Sequence, residues 1–400
     1  MVKKISSRER LSAALACQKT DYVPCSFMIF FGLRDRCKDY FEFVDRQLEM
    51  GLDARVDISD LLVKFHPDVH VREWKETIPN EPHPLLCKEY HTPAGVLRTE
   101  VWQTEDWPYG DHVPFMDDYL AVRTRKYLVT RPEDLPALRY LLAEPGLSVI
   151  EEYRQRAEVA KQFARSRDIL LCGGGCNFER VDVPEVGHEC ACVGIDALMW
   201  FCGAEAPLIW AFEQPEFLGE LINIVALWNR RRMEITLDAG VDLLIKRAWY
   251  EGTEFWSPAL YRRFIAPILV EDANLVHQAG AKFGYIITSG MMDLVDDLLK
   301  IKPDAIIGID PVQGKGTELN AVQQKINSRL CLWGGTNGCL TMETGTKEQV
   351  KAEVEKAIDI LGRNNGFILS PVDNVREMNP QIEENVRTFI ETWKSLRSKP

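Results

Sequence analysis

Short apolar runs alternate with longer amphipathic stretches along most of this chain. Each run is rich in Val, Ile, Leu or Phe and is bounded by Gly, Pro, Asp or Asn, which is typical of buried parallel strands. The runs are Val23–Phe30, Ala54–Ile58, Asp168–Cys172, Val241–Lys246, Lys282–Ile287, Asp304–Ile309, Arg329–Trp333 and Gly366–Leu369. Eight strand-and-helix units predict a (β/α)8 barrel, the TIM barrel. A doubly wound open sheet is the alternative, but no glycine fingerprint follows the first run.

Helix signals occupy most of the intervals between the runs. Glu213–Leu237 carries apolar residues at helical spacing. Ser257-Pro258 provides an N-cap and a first-turn proline for a helix that extends to about Gly280. Thr346–Gly362 begins with a capping box and ends at a glycine, and Pro380–Leu396 is the last predicted helix. We therefore predict one barrel domain over residues 1–400.

The interval between the second and third runs is too long for one crossover. Within it, Lys88–Thr99 predicts a β-hairpin that turns at Pro93-Ala94-Gly95. The tract 100–116 then adds aromatic residues. We predict that residues 81–130 form an inserted hairpin and a cap over the barrel mouth. A satellite core beneath a long loop is the alternative reading of these aromatics, and both readings can hold together.

Composition excludes several classes of partner. Lys+Arg 48 against Asp+Glu 60 gives a net charge of −12 over 400 residues. Such an acidic chain is a poor binder of nucleic acid or of an anionic membrane surface. No apolar run reaches the length of a membrane span, and the N-terminal residues lack the apolar core of a signal peptide. The eleven cysteines then favour reduced thiols over a disulfide framework, so we expect a cytoplasmic enzyme.

An ordered series of motifs runs through the chain. It consists of SRERLSAAL at Ser7–Leu15, Asp21 with Val23-Pro24, LYRRFIAPIL after Pro258, GYIITSG at Gly284–Gly290, GIDP at Gly308–Pro311, LWGGTNG at Leu332–Gly338 and ILSPVDN at Ile368–Asn374. In this order the motifs resemble the uroporphyrinogen decarboxylase superfamily, which implies a TIM barrel. That superfamily includes porphyrinogen decarboxylases, zinc enzymes that methylate thiols, and corrinoid-dependent methyltransferases.

Three departures from the family's patterns disfavour the first two branches. Decarboxylases carry an arginine-rich stretch after the first strand, but only Arg34 and Arg36 remain here, and a substrate with many carboxylates needs several cationic partners. The decarboxylase aspartate has a counterpart at Asp60, whereas Asp373 stands at the place of the late histidine. The zinc branch uses H-x-C after the fifth strand, where this chain has Ile287-Thr288-Ser289, and neither end residue supplies a zinc ligand.

The resemblance then implies the corrinoid branch. In that branch a methyl group moves from a small methylated donor, here best an aryl methyl ether, to Co(I) of a corrinoid on a partner protein. Proton donation, hydrogen bonds or a Lewis-acid metal would stabilise the leaving phenolate. A decarboxylase or other lyase of a small acid or a porphyrin-like compound is the alternative enzyme. A non-catalytic barrel, such as a corrinoid-related chaperone or sensor, is the third hypothesis. Analogy with members of the superfamily also suggests a homodimer.

Candidate site residues are those that follow strand ends, where TIM barrels place their chemistry. The catalytic candidates are Glu251 as general acid or metal ligand, Tyr250 as hydrogen-bond donor, Asp373 and Asp60. The substrate-binding candidates are Trp249, Arg247, His66, Cys176, Asn177, Tyr285, Thr288, Asp310, Asn337 and Asn374. A loop ion pair for Glu251, core packing for Tyr285 and a turn role for Asp310 stay open.

A group of thiol and imidazole side chains provides the metal-like pattern of the chain. His188, Cys190 and Cys192 stand at alternate positions, with Cys172 and Cys176 upstream. Thiolates and imidazole are good zinc ligands, but H-x-C-x-C is not the spacing of a standard zinc knuckle. Zinc, a metal-free pocket lining and plain structural thiols therefore all stay open for this group.

Overall fold

The computed structural model describes residues 5–58, 61–174, 193–363 and 365–397. The described chain divides into two compact units. The first unit comprises residues 5–58, 154–174, 236–363 and 365–397, and the second comprises residues 61–153 and 193–235. Each unit has its own β-sheet, as set out below.

The strands and helices follow in chain order. The strands are β1 (Arg55–Asp57), β2 (His70–Glu76), β3 (Leu85–Thr92), β4 (Gly95–Trp102), β5 (Thr124–Lys126), β6 (Leu170–Gly173), β7 (Leu243–Lys246), β8 (Lys282–Ile286), β9 (Ala305–Ile309), β10 (Cys331–Asn337) and β11 (Phe367–Val372). The helices are α1 (Ser7–Leu15), α2 (Phe31–Arg34), α3 (Tyr40–Glu49), α4 (Asp118–Ala121), α5 (Leu135–Leu141), α6 (Leu147–Arg167), α7 (Ala197–Cys202), α8 (Glu205–Glu213), α9 (Pro215–Asp238), α10 (Pro258–Leu260), α11 (Ala266–Gln278), α12 (Val295–Ile301), α13 (Leu319–Ile326), α14 (Lys347–Leu361) and α15 (Pro380–Leu396). Two π-helical segments cover Tyr261–Ile265 and Gly338–Glu343, and two 3-10 turns cover Pro132–Asp134 and Met292–Leu294.

The first unit is built on a curled parallel sheet of seven strands in the order β1-β6-β7-β8-β9-β10-β11. Every residue of these strands is buried except Lys282, which is half-buried. Strands buried on both faces read as continuous apolar runs, which explains why hydropathy located them. Seven of the eight predicted runs are strands of this sheet, and the mixed α/β arrangement fits a TIM-like barrel.

The first predicted run, Val23–Phe30, departs from the closed eight-stranded barrel that we predicted. It forms two isolated parallel bridges, Cys25 with Leu369 of β11 and Ile29 with Asn374 in the loop after β11. Along its other edge, the Arg55 guanidinium donates to the carbonyls of Phe27 and Met28, each at 3.1 Å. A side chain therefore takes acceptors that a neighbouring strand would use. The ladder has seven strands because this seam is bridged by Arg55.

The second unit contains an antiparallel sheet in the order β2-β3-β4-β5. Thr92 of β3 stands opposite Gly95 of β4, so Pro93 and Ala94 form a two-residue turn between them. The core of this unit includes aromatic rings in edge contact, with Phe65 5.0 Å and Tyr90 5.9 Å from the ring centre of Phe115. That this unit caps the barrel mouth stays a prediction.

Two further properties bear on the expected class of protein. Among the described residues, none of the helices has the length and apolarity needed to cross a membrane. Every cysteine that the structure describes is a free thiol.

Candidate active site

A carboxyl group and a phenol meet where β7 and β8 end. Tyr285 of β8 stands in register with Lys246, the last residue of β7, and its hydroxyl donates to Glu251 Oε2 at 2.5 Å. Both side chains are 1% exposed. Burial raises the pKa of Tyr285 well above its ordinary range, and the Glu251 carboxylate raises it further. Tyr285 is therefore a neutral phenol that keeps its proton for this carboxyl group.

Tyr285 faces the helices that cover the sheet. Residues in register on parallel strands point to the same face, and Lys246 forms a buried ion pair of 2.5 Å with Asp272 of α11. Tyr285 thus lies on the helix-covered side and reaches the loop after β7 through Glu251. This placement answers the question of lumen or core that the sequence left open for Tyr285.

The loop after β7 is held against the loop after β8 by a close backbone approach. A Cβ atom on Gly252 would lie 2.0 Å from the carbonyl oxygen of Ser289, so only glycine fits here. The Thr253 hydroxyl donates to the Gly290 carbonyl at 2.8 Å. These contacts fix the backbone directly after Glu251, which limits the positions that its carboxyl group can take.

Aromatic side chains surround the guanidinium that follows β7. Arg247 is 3% exposed, and its guanidinium carbon lies 4.8 Å from the ring centre of Trp249 and 5.8 Å from that of Tyr250. Trp249 and Tyr250 are half-buried. Tyr250 also meets Phe255 edge-on at 5.4 Å. Cation–π contacts of this kind help to hold an arginine in place.

Asp310 and Asn337 bind each other rather than standing apart after β9 and β10. The Asn337 amide donates to Asp310 Oδ2 at 2.7 Å and to Gln313 Oε1 at 2.7 Å. Its oxygen accepts from the N–H groups of Leu340 and Thr341. Asp310 Oδ1 further accepts from two backbone N–H groups of its own turn. These contacts satisfy the Asn337 amide fully, which favours a positioning role for both residues.

Three further candidates follow β11 and β8, and each contacts a different neighbour. Asp373 has a left-handed backbone with φ of 67°, and its carboxylate lies 3.8 Å from the Arg376 guanidinium. Asn374 Oδ1 accepts from the Phe31 N–H at 3.2 Å, which ties the loop after β11 to α2. The half-buried Thr288 packs close to Gly308, where an added Cβ would lie 2.8 Å from the Thr288 methyl carbon.

The remaining candidates divide into one described residue and six others. His66 belongs to the second unit, where its ring meets Tyr140 edge-on at 5.2 Å and its Nδ1 accepts from the Asp68 N–H at 3.2 Å. Asp60, Cys176, Asn177, His188, Cys190 and Cys192 lie outside the described residues.

Two buried groups near the strand ends are absent from the predicted set. Tyr261, the first residue of a π-helical segment, is 0% exposed, and its hydroxyl has no hydrogen-bond partner among the described residues. Asp57, at the end of β1, accepts from the Tyr40 hydroxyl at 2.9 Å, and burial raises the pKa of its carboxyl group. Sequence placed Asp57 at a strand end, but no sequence signal marks a buried, unsatisfied hydroxyl on Tyr261.

Zinc of the thiol-methylating kind does not fit the described residues. The two positions of its H-x-C pattern hold Ile287 and Ser289. The described residues also contain no cluster of three His, Cys, Asp or Glu side chains that could hold a metal ion. Zinc at His188, Cys190 and Cys192 stays a hypothesis.

One protein family matches the later part of the chain. Residues 199–396 match the family model described as uroporphyrinogen decarboxylase (URO-D). The resemblance to the uroporphyrinogen decarboxylase superfamily is confirmed. This family match supports an enzyme. No curated protein matches the chain.

Solved structures extend the likeness to the whole chain. A methyltransferase from Methanosarcina mazei is similar over 98% of this chain and 99% of its own, with 14% identity and a TM-score of 0.60. A B12-independent methionine synthase from Shewanella sp. W3-18-1 covers 94% of this chain and 97% of its own, with 9% identity and a TM-score of 0.48. At 14% identity, the first of these likenesses shows a shared fold alone.

Proposed function

We propose that this protein is a methyltransferase that moves a methyl group from an aryl methyl ether to Co(I) of a corrinoid carried by a partner protein. The observation that carries the proposal is the buried hydrogen bond between Tyr285 and Glu251 at the ends of two adjacent strands. Ether demethylation needs a proton at the leaving oxygen, and the buried Glu251 carboxyl group, held in place by the Tyr285 hydroxyl, is the group that would deliver one. The shared fold of the M. mazei methyltransferase is compatible with this chemistry.

The reaction balances with one proton and no external oxidant. Co(I) supplies the electron pair for the new Co–C bond, and the O–CH3 bond breaks with its electrons on oxygen. Protonated Glu251 gives its proton to that oxygen, so the products are a phenol and a methylated corrinoid. Tyr285 then donates to the Glu251 carboxylate until solvent returns the proton. Because the corrinoid is the nucleophile, the protein needs no nucleophile of its own and has to orient the methyl carbon and the leaving group.

We assign roles to the other candidates within this proposal. Trp249 and Tyr250 would flank the aromatic ring of the donor, and Arg247 is held between them by its cation–π contacts. Tyr250 would donate a second hydrogen bond to the leaving oxygen. Asp373 and Asp60 would complete the catalytic set, and a cytoplasmic homodimer with a separate corrinoid protein is the expected assembly.

Anaerobic absorbance spectroscopy tests the proposal. The purified protein is mixed with cob(I)alamin and, in separate cuvettes, with methoxyaromatics, methylamines or methanol. We expect loss of the Co(I) band and growth of methylcobalamin with a methoxyaromatic donor. Glu251→Gln should abolish most of this change. The matched control is Glu353→Gln, because Glu353 is a half-buried carboxyl group whose contacts are the Asn337 N–H and the Thr341 hydroxyl.

Two results would count against the proposal. No spectral change with any donor, when a known corrinoid carrier domain is also supplied, overturns methyl transfer. Release of CO2 from an aromatic or porphyrin-like acid under the same conditions would instead establish the lyase alternative.

A further inference from the structure

We propose that strand β2 is a docking edge for a second copy of this chain, so that two antiparallel β2 strands join two four-stranded sheets into one. β2 covers His70–Glu76 in the second unit and is the outermost strand of the order β2-β3-β4-β5. None of the described strands pairs with its outer side. The inference is independent of methyl transfer, and it gives the expected homodimer one specific surface.

The two edge strands of this sheet differ in the features that protect an edge from pairing. The edge strand β5 has three residues, and its pairing with β4 shifts register between Glu100 and Val101. Short length and irregular pairing are ways in which proteins protect a sheet edge. β2 instead has seven residues, no proline, and unbroken pairing with β3 along its whole length. The edge at β2 is therefore long and regular, as a docking strand needs.

The backbone of β2 turns every second residue towards its outer side. The two-residue turn between β3 and β4 closes on a hydrogen-bonded pair, Thr92 with Gly95. Hydrogen-bonded pairs alternate along an antiparallel ladder. Every second residue of β3 thus bonds to β4, and the residues between them bond to β2. By the same alternation, the β2 residues with outward N–H and C=O groups are Val71, Glu73 and Lys75.

The order of side chains in β2 is complementary to itself. Residues 72–76 read Arg-Glu-Trp-Lys-Glu, which is positive, negative, aromatic, positive, negative. When a second copy pairs antiparallel about Trp74, Arg72 stands opposite Glu76 of the second copy, and the two tryptophans face each other. Opposite charges and aromatic side chains directly across an antiparallel pair stabilise it. Pairing about Glu73 would instead place two glutamates opposite each other, which is destabilising.

Backbone and side chains select the same register. With Trp74 at the centre, the outward backbone groups of Glu73 meet those of Lys75 in the second copy. The central tryptophans then form a non-hydrogen-bonded pair, in which side chains lie closer together than in a hydrogen-bonded pair. A shift by one residue would break this match, because it would place outward backbone groups opposite inward ones.

The side chains on the Trp74 face are already placed for this register. The Arg72 guanidinium carbon lies 4.9 Å from the Trp74 ring centre. Among the described residues, Arg72 forms no ion pair. Glu76 accepts from the Trp74 ring N–H at 2.6 Å and lies 3.6 Å from Arg98. Glu76 of a second copy would thus give Arg72 the carboxylate that its own unit does not supply.

The opposite face of β2 contributes less to the choice of register. Glu73 already pairs with Lys88 at 3.1 Å, and Lys75 with Asp111 at 3.0 Å. Exposed ion pairs are individually weak. We therefore expect a reversible dimer, held by backbone hydrogen bonds and oriented by the charges on the Trp74 face.

Sedimentation velocity of the whole chain tests the proposal. Because association follows mass action, the wild type should change from monomer to dimer over about a hundredfold range of concentration. Arg72→Glu and Glu76→Arg each place like charges opposite each other twice in a two-fold dimer, so each should raise the dissociation constant about tenfold. The matched control is Arg125→Glu, which reverses an exposed arginine that lies 5.8 Å from the Trp102 ring centre on the other edge strand.

A mixture of the two β2 variants separates register from folding. In a mixed dimer, the arginines of the Glu76→Arg chain stand opposite the glutamates of the Arg72→Glu chain. Mixing should therefore restore association to near the wild-type level, although each variant alone associates weakly. Far-UV circular dichroism of the separate variants verifies that both are folded.

Amide hydrogen exchange locates the edge directly. The outward N–H groups of Glu73 and Lys75 become hydrogen-bonded in the dimer. Their exchange, followed by NMR, should slow about tenfold between dilute and concentrated wild type, whereas the amides of β5 should not change.

Each contrary result overturns a stated part of the proposal. A wild type that stays monomeric over the whole range overturns the second copy as occupant and would leave the edge to a strand of a different protein. A dimer that neither β2 variant weakens, or that Arg125→Glu weakens equally, overturns β2 as the surface. Two folded variants that do not associate when mixed overturn the Trp74 register. No readout involves a methyl donor or a corrinoid, so failure here leaves the proposed function to its own test.

Discussion

The strand ends of the first unit fall into two regions that use polar side chains differently. After β9 and β10, the Asn337 amide has all its hydrogen-bonding capacity filled by neighbours, Asp310 among them. After β7 and β8, Tyr285 donates to the buried carboxyl group of Glu251. Both regions are polar and buried, so burial alone does not distinguish them.

The difference suggests distinct roles for the two regions, with a structural role for Asn337 and a chemical role for Glu251. The Asn337 amide uses all its donors and acceptors on neighbouring loops. Its hydrogen bonds therefore stabilise the folded positions of those loops. The Glu251 carboxyl group can gain or lose a proton, whereas an amide such as that of Asn337 cannot. Variants should therefore affect activity in one region and stability in the other.

The largest effect is expected from Glu251→Gln. Removal of the proton donor should lower the rate of methyl transfer by about 100- to 10,000-fold, as is usual for general acids. The free energy of unfolding should change by less than about 1 kcal/mol, because the amide keeps an acceptor oxygen for Tyr285. Stopped-flow absorbance and urea unfolding measure the two quantities. A large loss of stability with little loss of rate would instead show that Glu251 has a structural role.

Gly252→Ala should affect both quantities. Its Cβ would lie 2.0 Å from the Ser289 carbonyl oxygen, so the backbone beside Glu251 must move. We expect a loss of about 3 kcal/mol in urea unfolding and a lower rate. Gly219→Ala is the matched control, because a Cβ there meets no atom within 4 Å and alanine favours a helix. Equal stability of the two variants would mean that the backbone at Gly252 does not lie so close to the Ser289 carbonyl oxygen.

Asn337→Ala should sharpen the comparison from the other side. It removes the donors to Asp310 and Gln313 and leaves one oxygen of the buried Asp310 carboxylate without its donor. The expected cost is about 2 kcal/mol in unfolding free energy. Folded protein should retain most of its methyl-transfer rate, in contrast to Glu251→Gln. Substrate affinity that falls more than stability would instead show that Asn337 binds substrate.

The smallest effect concerns a carboxylate of the second unit. Burial alone would raise the pKa of Glu73, but its contacts with His112, Lys88 and the Val113 N–H lower that pKa from 4.5 to about 2. Since the folded value is depressed, its contribution is present above pH 4.5 and is lost as the pH falls towards 2. We expect about 1 kcal/mol.

Unfolding at pH 6 and pH 3 measures this contribution. The free energy of unfolding should fall more between these pH values in the wild type than in Glu73→Gln, which has no carboxylate to protonate. Equal losses in the two proteins would mean that other carboxylates carry the acid sensitivity.

Much of the fold could be predicted because its physical signals are local. Helix α15 has the bounds that the sequence indicated, and α14 begins with the capping box of Thr346 and Gln349. The seven parallel strands are buried on both faces, so each is a continuous apolar run in the sequence. The predicted closed ring was wrong at Val23–Phe30, because no hydropathy pattern shows that the Arg55 side chain takes the carbonyls of a neighbouring segment.

The residues of the candidate site could be predicted from the sequence less well than the fold. The rule of strand ends selects Glu251 and Tyr285, but it selects Asp310 and Asn337 equally, and only the geometry shows that the latter two bind each other. The buried hydroxyl of Tyr261 was missed because this residue lies in a π-helical turn. Such a turn is set by packing over the whole unit.

The segment Val23–Phe30 is attached to the sheet differently from the seven strands, because the Arg55 side chain replaces part of a backbone ladder along one of its edges. Neighbouring strands of the sheet are joined by ladders of backbone hydrogen bonds, whereas this edge of Val23–Phe30 has one backbone bond, from the Asp53 N–H to the Cys25 carbonyl at 2.7 Å, beside the two bonds of Arg55. Opening of this edge is then a local event with a lower free energy than global unfolding. In deuterated water, amide protons of this segment should exchange before those of β8 and β9. The protein would thus begin to come apart where its chain first enters the barrel.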